Sequence, residues 1–260
     1  MRAPRALLSA AAPWAVPSAL VAGWQWASTT GHLSSRVLPA PLDVARAAAD
    51  LIASGELFTH LSRSAGRALL GFAVGGGLAL ALGLLTGTLR RAETLLDTTI
   101  QMIRNVPPLA LIPMVILWFG IDEGAKLFLV ALGVFFPVYV NTFAGIRAVD
   151  PGLVEMGRVY GLSRWQLYRE VILPGALPGI LVGVRFSLGF MWVVLIVAEA
   201  ISARDGIGYM TMNAREFLRT DVVLVGILLY ALLGKLADVL ARGLERALLP
   251  WRPRVLGRAT

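Results

Sequence analysis

Few residues in this chain are equipped for covalent chemistry. The sequence holds no Cys and only two histidines, His32 and His60. Disulfides and thiolate metal sites are therefore excluded, and two histidines are too few for a His-based metal site. No G-x-x-x-x-G-K-[S/T] phosphate loop occurs; the only Gly-Lys pair, Gly234-Lys235, is followed by Leu236. No catalytic residue, metal ligand or resident cofactor is expected. What remains is a set of ionisable and polar groups inside apolar stretches: Asn141, Thr142, Arg185, Glu199, Lys235 and Asp238. Ionisable groups at membrane depth are costly and face protein or water. Arg185 can attract an anion, snorkel or pair with an acid, and the structural role is favoured. Lys235 and Asp238 lie three apart, so a mutual ion pair is expected. Glu199 closes its apolar stretch, where a gate or a structural contact is expected. Asn141 and Thr142 are uncharged polar groups and candidate liners of any polar path between the helices.

The elements that must position these groups follow from composition. Of 260 residues, 57% are hydrophobic and 15% charged, with a net charge of +8. Soluble domains carry about 25% charged residues, so a lipid environment is the first inference. In a soluble protein the positive charge would suggest nucleic acid; in a membrane protein it reflects Arg-rich cytoplasmic loops, and no nucleic acid partner is expected. Between Arg5 and Arg36 there is no charged residue, a length that suits a retained membrane helix better than a cleaved signal.

A bilayer core needs about 20 apolar residues in a helix. Stretches free of charge, or in the fifth and sixth cases poor in it, then give an all-α chain, a single domain of six spans near residues 11–29, 68–89, 105–121, 127–146, 176–202 and 221–241. With the N-terminus in the cytoplasm, the inner segments hold Arg2, Arg5, Arg90, Arg91, Arg104, Arg147, Arg158, Arg164, Arg169, Arg242, Arg246, Arg252, Arg254 and Arg258. The outer segments hold the smaller set Arg36, Arg46, Arg63, Arg67, Lys126, Arg204, Arg215 and Arg219. That bias places both termini inside. The second span carries Gly71, Gly75, Gly76, Gly77, Gly83 and Gly87, which let helices approach closely; packing within one subunit is favoured over a subunit interface. Between the first two spans, Asp43 can cap an amphipathic helix through Val44, Ala47, Ala48 and Leu51.

The most informative stretch separates the fourth and fifth spans, DPGLVEMGRVYGLSRWQLYREVILPGALP, with residues 150–174 on the inner side. Asp150 and Pro151 open a helix, and Leu153, Met156, Val159 and Tyr160 recur at helical spacing. Gly161 breaks it. Ser163 is a good cap for a second helix through Trp165, Leu167, Tyr168, Val171 and Ile172, and Pro174 and Pro178 mark the start of the fifth span. The unit is too polar to cross a membrane and more apolar than a free linker, so a partner must cover Leu153, Tyr160, Leu162 and Trp165.

This stretch resembles the cytoplasmic motif of bacterial ABC importer permeases: E-A-A, three residues, G, nine residues, I-x-L-P. Here it reads Glu155-Met156-Gly157, then Gly161, then Val171-Ile172-Leu173-Pro174, departing at both alanines and at Ile. The resemblance implies a type I importer permease in the bacterial cytoplasmic membrane, with this segment as the coupling helix that docks on a separate ABC ATPase. ATP and Mg would then be bound by that partner. Residues 95–122, LLDTTIQMIRNVPPLALIPMVILWFGID, together with AEAIS and GIGYMTMNAREFLRTDVV, are similar to the nitrate, sulfonate, taurine and bicarbonate permeases, and within them most to the aliphatic sulfonate permeases. The resemblance implies an extracytoplasmic solute-binding protein, a second permease copy around a two-fold path, and alternating access. The outer loop with Gly206, Gly208, Arg215 and Arg219 is a candidate receptor-docking or gating element. An ion-driven carrier would show inverted repeats; none is found between the two halves, and the coupling stretch occurs once.

Overall fold

In the computed structural model the described residues are 3–34 and 36–251, with side chains from Pro13 onward except at Ser202. Of the basic residues that set the orientation, Arg2, Arg252, Arg254, Arg258 and the Arg5 side chain lie outside this range. Twelve α-helices follow in chain order among the described residues: α1 (Ala3–Thr29), α2 (Pro41–Ala53), α3 (Glu56–Thr88), α4 (Arg90–Ala92), α5 (Thr98–Ile103), α6 (Ile112–Phe119), α7 (Glu123–Arg147), α8 (Pro151–Val159), α9 (Arg164–Leu167), α10 (Leu173–Ser202), α11 (Ile207–Glu216) and α12 (Thr220–Leu248). No strand occurs among the described residues.

Four helices among these residues are long and apolar enough to cross a membrane, at Glu56–Thr88, Glu123–Arg147, Arg164–Ile201 and Thr220–Leu248. A fifth is reached if the bent pair Arg90–Ile103 and Pro108–Phe119, at 78°, is one span. The six expected are not all met on these residues. The expected first span lies within α1, which is not among the four.

The expected third span, 105–121, is corrected: its helical part shrinks to a 3-10 turn at Pro108–Leu111 followed by α6, and the chain before it is already helical. Arg104 is the C-terminal cap of α5, and Pro107 and Pro108, which lack backbone donors, force the bend that follows. Likewise α9 runs through a π-helical turn at Tyr168–Ile172 directly into α10. Pro174 directly follows that π-helical turn and does not interrupt the helix. Helix α3 starts at Glu56, well before the expected 68, and α12 ends at Leu248, beyond the expected 241.

The chain divides into two compact units. One comprises the described residues to Arg63 together with Arg204–Leu229. Here α2 buries Val44, Ala47 and Leu51 as expected. Its cap, however, is Ala40 rather than Asp43, because Pro41 already occupies the first helical position; Asp43 instead pairs with Arg46 at 3.3 Å. The expected outer loop is corrected too, since it contains α11, ten residues long.

The second unit runs over Ser64–Ala203 and from Tyr230 onward. Its core is built on α3, α7 and α10 around Val130, Val134, Val138, Tyr139 and Leu195, all nearly fully buried. The glycine stripe serves packing within the subunit: a β-carbon on Gly71 would stand 2.6 Å from Val130 Cγ1, and one on Gly83 2.8 Å from Thr142 Cβ. Large apolar side chains such as Leu69, Leu70, Val74 and Leu78 face outward, more than half exposed, as lipid-facing residues do.

Candidate functional site

The coupling stretch lies wholly in the second unit and takes the form its residues dictate. Asp150 Oδ1 accepts from the Gly152 N–H at 2.8 Å, with Pro151 at the first helical position of α8. Gly161 sits at φ +81°. Its N–H donates to Arg158 O at 3.0 Å, and the Leu162 N–H donates to Gly157 O at 3.0 Å. This is the Schellman closure of a helix, which needs a left-handed residue and hence glycine at 161. Ser163 and Gln166 form a reciprocal capping box for α9, at 3.3 and 2.9 Å.

The closure sorts the apolar residues into two sets. Leu167 and Gly157 turn inward, with a Gly157 β-carbon only 2.7 Å from Leu167 Cδ1. Leu162 follows them, half-buried and 3.2 Å from that same position; the expectation that it is presented outward is corrected. Val159, Tyr160 and Trp165 remain 81%, 80% and 65% exposed, and the Trp165 and Tyr168 rings stack at 5.9 Å. Leu153 and Met156 are exposed beside them. Glu155 is exposed, and its carboxylate makes no hydrogen bond or ion pair among the described residues, so it does not brace the loop. Leu173 packs against Ile146, Ala176 and Ile180 inside the unit. Pro174 lines a groove of about 490 Å³ with Met156, Tyr160, Leu162, Glu170 and Trp251. Trp251 carried no sequence signal, since nothing local ties it to residues 150–174.

Charges within the spans are paired differently from the expectation. Arg185 reaches Asp238 Oδ1 through Nη2 at 2.8 Å and Nε at 3.0 Å, and Arg242 holds the other oxygen at 2.8 Å. Lys235 is exposed and joins no ion pair among the described residues; the expected Lys235–Asp238 pair is not formed. The two arginines win because a carboxylate between two guanidinium groups has both oxygens satisfied. Thr142 is fully buried under Gly83, and its hydroxyl has no hydrogen-bond partner among the described residues. Asn141 donates back to Pro137 O at 2.8 Å.

Glu199 is 1% exposed and makes a structural contact, one of the two roles expected of it. Ser64 Oγ lies 2.8 Å from both its oxygens, Arg67 Nη1 2.8 Å from Oε1, and Tyr230 Oη 3.3 Å from Oε2. Arg67 then forks onto Glu123 through Nε and Nη2, both at 2.7 Å, and Lys126 Nζ joins Glu123 at 2.8 Å. Arg67 and Lys126, expected in outer segments, are buried. Reading charges as span boundaries hid this cluster.

In the first unit Gly206 stands at φ +105° before α11, and its N–H donates to His60 Nδ1 at 3.0 Å. Gly208 is buried in α11, whereas Arg215 and Arg219 are exposed. Arg219 borders a cavity of about 360 Å³ with Glu56, His60, Tyr209 and Asn213.

Residues 58–250 match the family model described as a binding-protein-dependent transport system inner membrane component. The chain is 64% identical over 242 residues to the putative aliphatic sulfonates transport permease protein SsuC of Escherichia coli (strain K12), covering 93% of this chain and 92% of that one. It is 50% identical over 237 residues to the protein of the same description in Bacillus subtilis (strain 168), covering 91% and 86%. Among solved structures it is similar to a crystal structure of an amino acid ABC transporter with histidines, at a TM-score of 0.62 and 19% identity, covering 76% of this chain and 97% of that one; at that identity the likeness speaks for the fold.

Proposed function

Because the chain belongs to the family of binding-protein-dependent transport system inner membrane components, we propose that it is the permease subunit of an ABC importer for aliphatic sulfonates. It is a transport subunit, not a catalytic enzyme. In this reading two copies form a homodimer with the path along the two-fold axis, in the bacterial cytoplasmic membrane. Each copy is one six-span domain with both termini cytoplasmic. An extracytoplasmic solute-binding protein delivers the sulfonate, and a separate ABC ATPase binds ATP and Mg. ATP draws the ATPase subunits together, the coupling segments follow, and the bundle opens outward; hydrolysis resets it.

What carries this reading is the exposed turn around Gly161. Val159, Tyr160 and Trp165 present apolar surface beside a polar helix end, on a backbone closed by its own hydrogen bonds. Large apolar residues held out in this way are what an interface core uses. Glu155, Met156 and Gly161 belong to the same docking surface, with Gly157, Leu162, Leu173 and Pro174 supporting it from beneath. The sulfonate assignment draws on the descriptions of the two relatives at 64% and 50% identity.

The test is uptake into proteoliposomes holding the permease, its ATPase and the matching receptor. Ethanesulfonate import that stops without ATP is expected. Import of nitrate or taurine with no import of ethanesulfonate would move the chain to another small anion. Import that needs no ATPase would replace the importer reading with a secondary carrier.

A further inference from the structure

The buried ion cluster of the second unit is unevenly built. Glu199 is fixed, with its side chain 0% exposed, and it is held by Ser64, Arg67 and Tyr230. Glu123 holds both cations, Arg67 by a two-pronged contact and Lys126 by one, yet its side chain is 58% exposed. The two cations are 6% and 3% exposed. One exposed carboxylate therefore covers two buried cations.

We propose that Arg67 and Lys126 form a binding site for the oxyanion head of the transported sulfonate, which Glu123 occupies between turnovers. The proposal rests on the sulfonate reading above for its ligand. Four arguments support it. A sulfonate offers three oxygens, two for the Nε/Nη2 fork of Arg67 and one for Lys126 Nζ, which matches the donors that Glu123 now satisfies. Exchanging one carboxylate for one sulfonate leaves the local charge unchanged, so neither buried cation is left uncompensated. The leaving carboxylate is already more than half exposed, so releasing it costs little, whereas buried Glu199 could not leave. A sulfonate is also a weaker hydrogen-bond acceptor than a carboxylate, so Glu123 can displace it again, as a transport site requires.

The geometry also places this site for a transport cycle. Glu123 and Lys126 begin α7 and Arg147 ends it, next to the coupling stretch. At a rise of about 1.5 Å per residue, site and stretch lie roughly 35 Å apart along one helix.

The test uses the assembled permease–ATPase transporter in nanodiscs, with ethanesulfonate as the probe and equal concentrations of chloride as the control. Removing the internal competitor in Glu123→Gln should tighten ethanesulfonate binding about tenfold, while Lys126→Gln should weaken it about tenfold. Ethanesulfonate should also raise the thermal midpoint of Glu123→Gln more than that of the parent, a ligand rescue that a purely structural carboxylate would not show. Should Glu123→Gln not assemble, Glu123→Asp, one methylene shorter, carries the same comparison with a gain of about threefold. If the parent imports ethanesulfonate with receptor and ATP but the variants bind it as the parent does, the site is wrong and the permease reading stands. If the parent imports no ethanesulfonate, the sulfonate reading falls, and this ligand with it.

Discussion

A β-carbon on Gly179 of α10 would stand 2.8 Å from the Cα of Gly145 in α7, and one on Gly145 would stand 2.9 Å from the carbonyl oxygen of Ala176. The two helices that flank the coupling stretch therefore meet backbone to backbone at its base. Small residues at such a crossing are how helices pack closely in lipid, and neither partner can yield, since the obstacle is main chain. Gly179→Val should destabilise the permease by about 1–3 kcal/mol, read as a lower thermal midpoint in nanodiscs. Gly77→Ala, whose new methyl meets nothing within 4 Å, should leave the midpoint in place. Equal effects from both would show that the crossing is not tight.

The two sets of apolar residues in the coupling stretch should separate experimentally. Tyr160→Ala and Trp165→Ala remove exposed rings, so permease stability should change by less than about 0.5 kcal/mol. Association with the ATPase should weaken by at least about tenfold, measured as co-purification and as ATP-driven uptake. Leu167→Ala opens the buried side of the turn and should destabilise it by about 2 kcal/mol. Normal ATPase association in both ring variants would remove the turn from the docking surface.

Asp238 is shared by Arg185 and Arg242, and this makes its neighbour Lys235 expendable. Both arginines are more than a third exposed, so Asp238→Asn should cost only about 0.5–1 kcal/mol. Lys235→Gln should be neutral within about 0.5 kcal/mol. A double-mutant cycle of Arg185→Gln with Asp238→Asn should return a coupling energy, whereas one of Lys235→Gln with Asp238→Asn should return none.

The sequence was most legible where local rules decide the outcome. The helix start at Asp150, the break at Gly161 and the cap at Ser163 each depend on residues within a few positions, and all three formed. Long-range pairing was not legible. Nothing near Lys235 announces that Asp238 is taken by Arg185, fifty-three positions away. The rule that charges end spans also took Arg67 and Lys126 as limits, because it does not register that a buried network cancels their cost and lets α3 and α7 run past them. The inward turn of Leu162 was missed for a related reason: helical spacing defines an apolar face, but the left-handed step at Gly161 redirects whatever follows it.

The end of α11 repeats the closure of the coupling stretch with the wrong residue for it. Arg219 N–H donates to Ala214 O at 2.8 Å and Leu218 N–H to Arg215 O at 3.1 Å, the same Schellman pattern found at Gly161. Here the left-handed position belongs to Leu218, at φ +57° and 84% exposed. A left-handed L-residue costs about 1–2 kcal/mol, and this side chain recovers little of that within the subunit. Leu218→Gly relieves the strain, partly offset by the greater freedom of an unfolded glycine, so a net gain of about 0.5–1 kcal/mol is expected. Leu218→Ala keeps both strain and exposure and should stay within about 0.5 kcal/mol of the parent. The measurement is the thermal midpoint of each variant in nanodiscs. A fall in the midpoint of Leu218→Gly would mean that the exposed leucine is covered in the assembled transporter and stabilises it there.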